Sequence, residues 1–159
     1  MRVLSESDCK QIWKIMYEQY CFRPRFTEKS YSWINPPLPF KVFILPDHCW
    51  NEEQEKLVNS FFVSLGLNEL YALDWEHDCF IYDPSEEIPL YYEYQDELRQ
   101  CTVYFPSYYS NGDYYFFSDI DWKYGLFGHP WLGEIVVTGK ELIQLFDNNS
   151  QTLGITVKK

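Results

Sequence analysis

Between residues 69 and 121 this chain has no lysine and a single arginine, Arg99, against thirteen acids. That near-absence of positive charge argues against nucleic acid and anionic membrane as partners, since both require a basic face. No apolar run approaches the roughly 20 residues that span a bilayer, and the N-terminus, Met1-Arg2-Val3-Leu4-Ser5-Glu6, meets charge too early for a secretory leader. A cytoplasmic protein is expected. The five cysteines, Cys9, Cys21, Cys49, Cys79 and Cys101, are odd in number and include no C-x-x-C pair, so reduced thiols are the default. Also missing are G-x-S-x-G, a phosphate-cradling glycine loop, H-x-H and H-E-x-x-H. The chain offers no catalytic motif, so no enzymatic activity and no cofactor are expected.

What the chain does have is acid and rings. Residues 69–121 carry a net charge of minus twelve, while the remainder holds twelve Lys or Arg against eleven Asp or Glu. Interleaved with the acids are Tyr91, Tyr92, Tyr94, Tyr104, Tyr108, Tyr109, Tyr114 and Tyr115. A one-signed field attracts a basic partner, and tyrosines supply contact area at low entropic cost. The ordinary alternative is a solvated acidic face beside an aromatic core.

The length, 159 residues, suits one domain with one substantial core. Cys9, Trp13, Met16 and Tyr20 recur at helical spacing and predict a first helix over 6–20, with Ser5 and Asp8 as its capping pair. Pro24, Pro36, Pro37 and Pro39 make the next segment extended, leading to a strand at 40–45. Asn51 caps a second helix over 52–65, which Gly66 stops. Strands follow at 69–75 and 79–82 around a Glu76-His77-Asp78 turn. Residues 84–98 form an acidic connection. Asn111-Gly112 predicts a type I′ hairpin joining strands at 102–110 and 113–118. Further strands are expected at 124–127 and 134–137, then a Thr138-to-Glu141 capping box opening a helix over 140–146, and a last strand at 153–157. The sum is a single α+β domain over 1–159: a mainly antiparallel, twisted sheet with about three helices packed on it.

Two clusters could carry chemistry: Leu73-Asp74-Trp75-Glu76-His77, and Gly125-Leu126-Phe127-Gly128-His129-Pro130-Trp131. Joined by the fold, His77, His129 and Asp74 or Asp113 would make a two-histidine, one-carboxylate metal site or an acid–base pair. The spacing favours a structural use instead. Each histidine satisfies buried polar groups in a turn, with Asp74, Trp75, Asp113, Gly128, Pro130 and Trp131 as supports, and no metal is expected.

At these clusters the chain resembles a bacterial domain-of-unknown-function family, number 2716. The resemblance runs through Phe22-Arg23-Pro24, Leu73-Asp74-Trp75-Glu76-His77 with Asp83-Pro84, Gly112-Asp113-Tyr114-Tyr115-Phe116-Phe117, residues 125–131, and Gly139-Lys140-Glu141-Leu142. It departs where the family has W-P-x-P; here Tyr104-Phe105-Pro106 keeps part of that pattern. The resemblance implies a bacterial fold unit without an established activity.

The leading functional expectation is therefore drawn from charge. An immunity protein, monomeric when free, would bind and neutralise a cognate, basic, nuclease-type toxin by occluding its substrate groove. Glu76, Asp78, Glu86, Glu87, Glu93, Asp96, Asp119 and Asp121 would supply the field, with Tyr92, Tyr94 and Trp122 as anchors. The alternatives are an enzyme using His77, His129 and Asp74, and a regulatory protein-binding domain.

Overall fold

The computed structural model of the chain describes residues 1–24, 32–86 and 93–159. Glu87 and Tyr92 lie outside the described residues, as does the side chain of Tyr94. The elements are β1 (Arg2–Val3), α1 (Glu6–Glu18), β2 (Phe40–Ile44), α2 (Glu52–Ser64), β3 (Leu70–Asp74), β4 (Cys79–Tyr82), β5 (Glu93–Asp96), β6 (Cys101–Tyr104), β7 (Tyr115–Asp119), β8 (Gly125–His129), β9 (Glu134–Thr138), α3 (Lys140–Asn148), α4 (Ser150–Leu153) and β10 (Thr156–Val157). Eight strands form one sheet in the order β1-β4-β3-β7-β8-β9-β2-β10, with every neighbouring pair antiparallel. Strands β5 and β6 form a separate antiparallel pair. The fold is α+β.

Alternation along the central strands explains why both faces are covered. One face presents Leu70, Ala72, Phe80, Phe117, Leu126, Ile135 and Val137 to α2, α3 and α4, which contribute Val58, Phe62, Leu142, Phe146 and Leu153. The other presents Leu73, Cys79, Phe116, Phe127 and Val136 to α1, which brings Ile12 and Met16, with Phe22, Trp33 and Ile34 beside it. Fully burying a Phe or Leu contributes about 1.5–3 kcal/mol each, so these two ring-rich layers dominate stability.

Both predicted caps of the first two helices form. Ser5 accepts from the Asp8 N–H at 3.2 Å, and Asn51 makes a reciprocal capping box with Gln54. Helix α3 corrects the third cap. Thr138 ends β9, opposite Phe40 and Gly125, and its buried hydroxyl finds no hydrogen-bond partner among the described residues. The helix starts at Gly139, φ +87°, where a side chain would overlap the Tyr124 ring, and Glu141 instead accepts from the Tyr124 hydroxyl. The strand needs Thr138 for its ladder, so a glycine turn replaces the box.

The Asn111-Gly112 hairpin is also corrected. Strand β6 pairs back onto β5, and β7 pairs with β3 and β8. Only Gly112 of the two takes positive φ, whereas a type I′ turn needs both. Two features divert the chain. Pro106 cannot donate to a ladder, and the N–H groups of Tyr108 and Tyr109 are taken at 2.8 and 3.0 Å by the Glu55 carboxylate of α2. Residues 105–114 thus cross the sheet as a long connection, and this places Asp113 and Tyr114 against the β3–β4 turn.

Candidate functional site

Strand β3 ends at Asp74, and the chain reverses tightly into β4. The His77 N–H donates to the Asp74 carbonyl, and the Asp74 N–H to the Asp78 carbonyl, both at 3.1 Å. Glu76 closes the reversal at φ +63°, a left-handed conformation that a side chain with a Cβ adopts at a cost. The Trp75 N–H donates to the Tyr114 carbonyl at 3.2 Å and so stitches this turn to the segment entering β7. Its indole N–H donates to the Tyr17 hydroxyl of α1 at 2.9 Å.

This stitching brings three donors together. His77 Nδ1 lies 3.0 Å from Asp74 Oδ1 and 3.5 Å from Asp113 Oδ2. Asp113 is aimed by its other oxygen, which accepts the Tyr114 N–H at 2.7 Å. Asp74 is 8% exposed, and burial pushes its carboxyl up to about 7 against the opposing pull of His77. Burial lowers the His77 imidazole, but its hydrogen bond to Asp74 and the charges of Asp74, Asp113 and Asp78 outweigh that and leave it above its ordinary value. Trp75, Glu76 and His77 form one side of a groove of about 520 Å³ whose other wall is α1, with Trp13 and Tyr17. A half-open aromatic groove with a carboxylate–imidazole cluster at its rim can hold a cation or move a proton.

His129 is not in this cluster. It is completely buried at the end of β8, where the Leu132 N–H donates to Nδ1 at 3.2 Å and Nε2 meets the Tyr114 hydroxyl at 3.3 Å. An Nδ1 that accepts leaves Nε2 as the protonated nitrogen, so the imidazole here is the neutral Nε2–H tautomer donating to Tyr114. Trp33 and Tyr114 contact the ring edge-on, with centroids 5.0 and 4.8 Å away. Trp131 meets it edge-on with centroids 5.9 Å apart, half in water at 57% exposed, and the Pro130 carbonyl accepts from the Gly133 N–H to close the turn. Gly128 leaves room for the Ser110 hydroxyl, which a methyl group would overlap. The two-histidine set therefore does not assemble: the donors within 4.8 Å of one another among the described residues are Asp74, His77 and Asp113.

The acids of 69–121 fall into two kinds. Glu76, Glu86, Glu93 and Asp121 are exposed. Asp78 and Asp96 are half-buried and share Arg99, at 2.9 and 2.6 Å, which ties the β5–β6 hairpin to the β3–β4 turn. Asp119 is a correction: at 4% exposed it is no surface charge, and it accepts the Tyr124 N–H at 2.6 Å inside the β7–β8 turn. Burial raises its carboxyl, against backbone hydrogen bonds that lower it. Trp122 is half-buried between Tyr20 and Tyr71, at ring distances of 5.5 and 5.8 Å. Two residues escaped sequence reasoning. Glu55 shares the buried stripe of α2 with Val58, Asn59 and Phe62, and an acid at that spacing was the available signal. Tyr17, one turn beyond Trp13, had none beyond its ring.

Residues 3–143 match a family described as protein of unknown function, DUF2716. The chain belongs to that family. It is 30% identical to the uncharacterized protein YxiI of Bacillus subtilis (strain 168), over 96% of this chain and 95% of that one. No solved structure matches it. Within this DUF2716 chain the resemblance seen in the motifs around His77 and His129 now has a physical content: those motifs meet on Asp113 and Tyr114.

Proposed function

We propose that this protein is an immunity protein, binding and neutralising a basic toxin domain through the acidic side of its sheet. One observation carries this reading: the uneven neutralisation of charge along the chain. Around β2, β9 and β10, Lys41 is paired with Asp147 at 2.6 Å and Lys158 with Glu134 at 2.5 Å. Within residues 69–121 the acids outnumber their partners. Arg99 serves both Asp78 and Asp96, while Glu69, Glu93, Glu97 and Asp121 make no ion pair among the described residues. A surplus of exposed carboxylates with tyrosines such as Tyr104, 58% exposed on β6, is complementary to a basic groove.

The test is protection. The gene's neighbours are screened for a toxin domain, whose absence would count against the reading, and any found is co-expressed with the wild type and with a variant carrying Glu69→Lys, Glu93→Lys, Glu97→Lys and Asp121→Lys. The wild type is expected to restore growth and to bind with an affinity that falls steeply with salt. The variant, folded by circular dichroism, is expected to lose both. Unchanged protection and salt slope in the variant would overturn the reading.

A further inference from the structure

We propose that Asp74, His77 and Asp113 form a binding site for a divalent transition-metal ion, each giving one donor: Asp74 Oδ1, Asp113 Oδ2 and His77 Nδ1. This goes beyond the immunity reading and stands on different residues. The two distances from Nδ1 fit a shared cation. An ion about 2.0–2.2 Å from each ligand holds neighbouring donors about 3.0 Å apart in octahedral geometry and about 3.4 Å apart in tetrahedral geometry. Here Nδ1 stands 3.0 and 3.5 Å from the two oxygens, and all three donors fall within 4.8 Å.

Two carboxylates converge on one ring nitrogen, His77 Nδ1, which carries at most one hydrogen. A divalent ion in place of that hydrogen would bind the nitrogen and both carboxylates at once. Preorganisation is already present. The Trp75 N–H to Tyr114 carbonyl bond fixes the turn against the β7 entry, and the Tyr114 N–H holds Asp113 Oδ1, with Oδ2 on the His77 side.

Three protein ligands leave coordination positions open, and of the three His77 lines two solvent-facing grooves. One is the 520 Å³ groove beside α1, and the other, about 550 Å³, is bounded by Asp78, Asp96 and Arg99. Two oxygens and an imidazole suit Zn²⁺ or Mn²⁺ rather than Ca²⁺, which prefers oxygen alone.

The test counts sites. Wild-type protein freed of metal by chelation is titrated with Zn²⁺ by calorimetry, in parallel with His77→Ala, Asp113→Asn and, as a control, His48→Ala, which alters an exposed histidine outside the cluster. Counting by difference removes any Zn²⁺ taken by the free thiols. Wild type and His48→Ala are expected to bind one equivalent more than His77→Ala. Asp113→Asn is expected to bind that equivalent at least tenfold more weakly, and the His77 ring proton resonances are expected to shift at one equivalent. Equal stoichiometry and affinity in wild type and His77→Ala, or no binding by wild type at millimolar Zn²⁺, would overturn the site.

Discussion

His77 and His129 each sit in a turn near a tryptophan, and each is reached from the adjacent residues Asp113 and Tyr114, yet they occupy opposite physical regimes. His129 is wholly buried and takes its polar contacts from inside, from Leu132 and Tyr114. His77 has 61% of its side chain in water, and its Nδ1 meets two carboxylates. Neutral imidazole in a satisfied cavity locks a fold. Imidazole between acids at a groove rim is available to a ligand or a proton. Residue type and local motif did not separate the two; the environment that the sheet builds around each one did.

The strongest way to break this comparison is to damage both neighbourhoods equally. His129→Ala removes a packed ring and leaves the Leu132 N–H and the Tyr114 hydroxyl without their partner, which costs about 3 kcal/mol. Gly128→Ala, which forces a methyl into the Ser110 hydroxyl, is expected to cost about as much. His77→Ala should cost about 1 kcal/mol or less, because the ring is largely solvated and Asp74 can take a proton when its partner goes. Urea denaturation of the three variants measures the difference. Equal midpoints for His77→Ala and His129→Ala would show that both histidines serve the fold alike.

A third group sharpens the contrast, since Glu55 is as enclosed as His129 and as acidic as the partners of His77. Burial raises its carboxyl to about 7, opposed by the N–H groups of Tyr109 and Tyr108. The sign follows from proton counting. Between the unfolded value, 4.5, and about 7 the native state holds a proton that the unfolded chain has released, so stability falls as pH rises through that window. The shift corresponds to about 3 kcal/mol, fully present below pH 4.5 and lost by about pH 8. Glu55→Gln should remove that part of the slope, so its stability relative to wild type should rise between pH 4.5 and 8. A pH-independent difference between the two proteins would mean that Glu55 stays charged when folded.

Glu55 also marks where the sequence stopped being readable. Periodicity found the first two helices and their caps, because helices α1 and α2 are amphipathic and their capping groups act within four residues. The hairpin failed because a turn dipeptide acts locally, whereas the N–H groups of Tyr108 and Tyr109 were claimed by a carboxylate more than fifty residues away. The candidate site failed in part for the same reason. Asp74, His77 and Asp113 were all visible as candidates, but which histidine joined the carboxylates depended on the connection that replaced the hairpin. Asp119 read as surface charge because burial of a single acid leaves no trace in a run of acids.

The smallest effect tests whether the β3–β4 turn is held in place by its contacts. Glu76 lies at φ +63°, where a Cβ crowds the backbone and glycine does not. If the turn's own preference were the whole story, Glu76→Gly would stabilise the protein by about 1 kcal/mol, the usual relief at a left-handed position. Glycine also gains freedom in the unfolded chain, which takes back part of that relief, so a net gain of about 0.5 kcal/mol is expected in the urea midpoint. A loss instead would mean that the Glu76 side chain contributes to holding the turn. That would extend the ligand-facing regime of His77 one residue back along the chain, and would narrow the contrast with the sealed turn at His129.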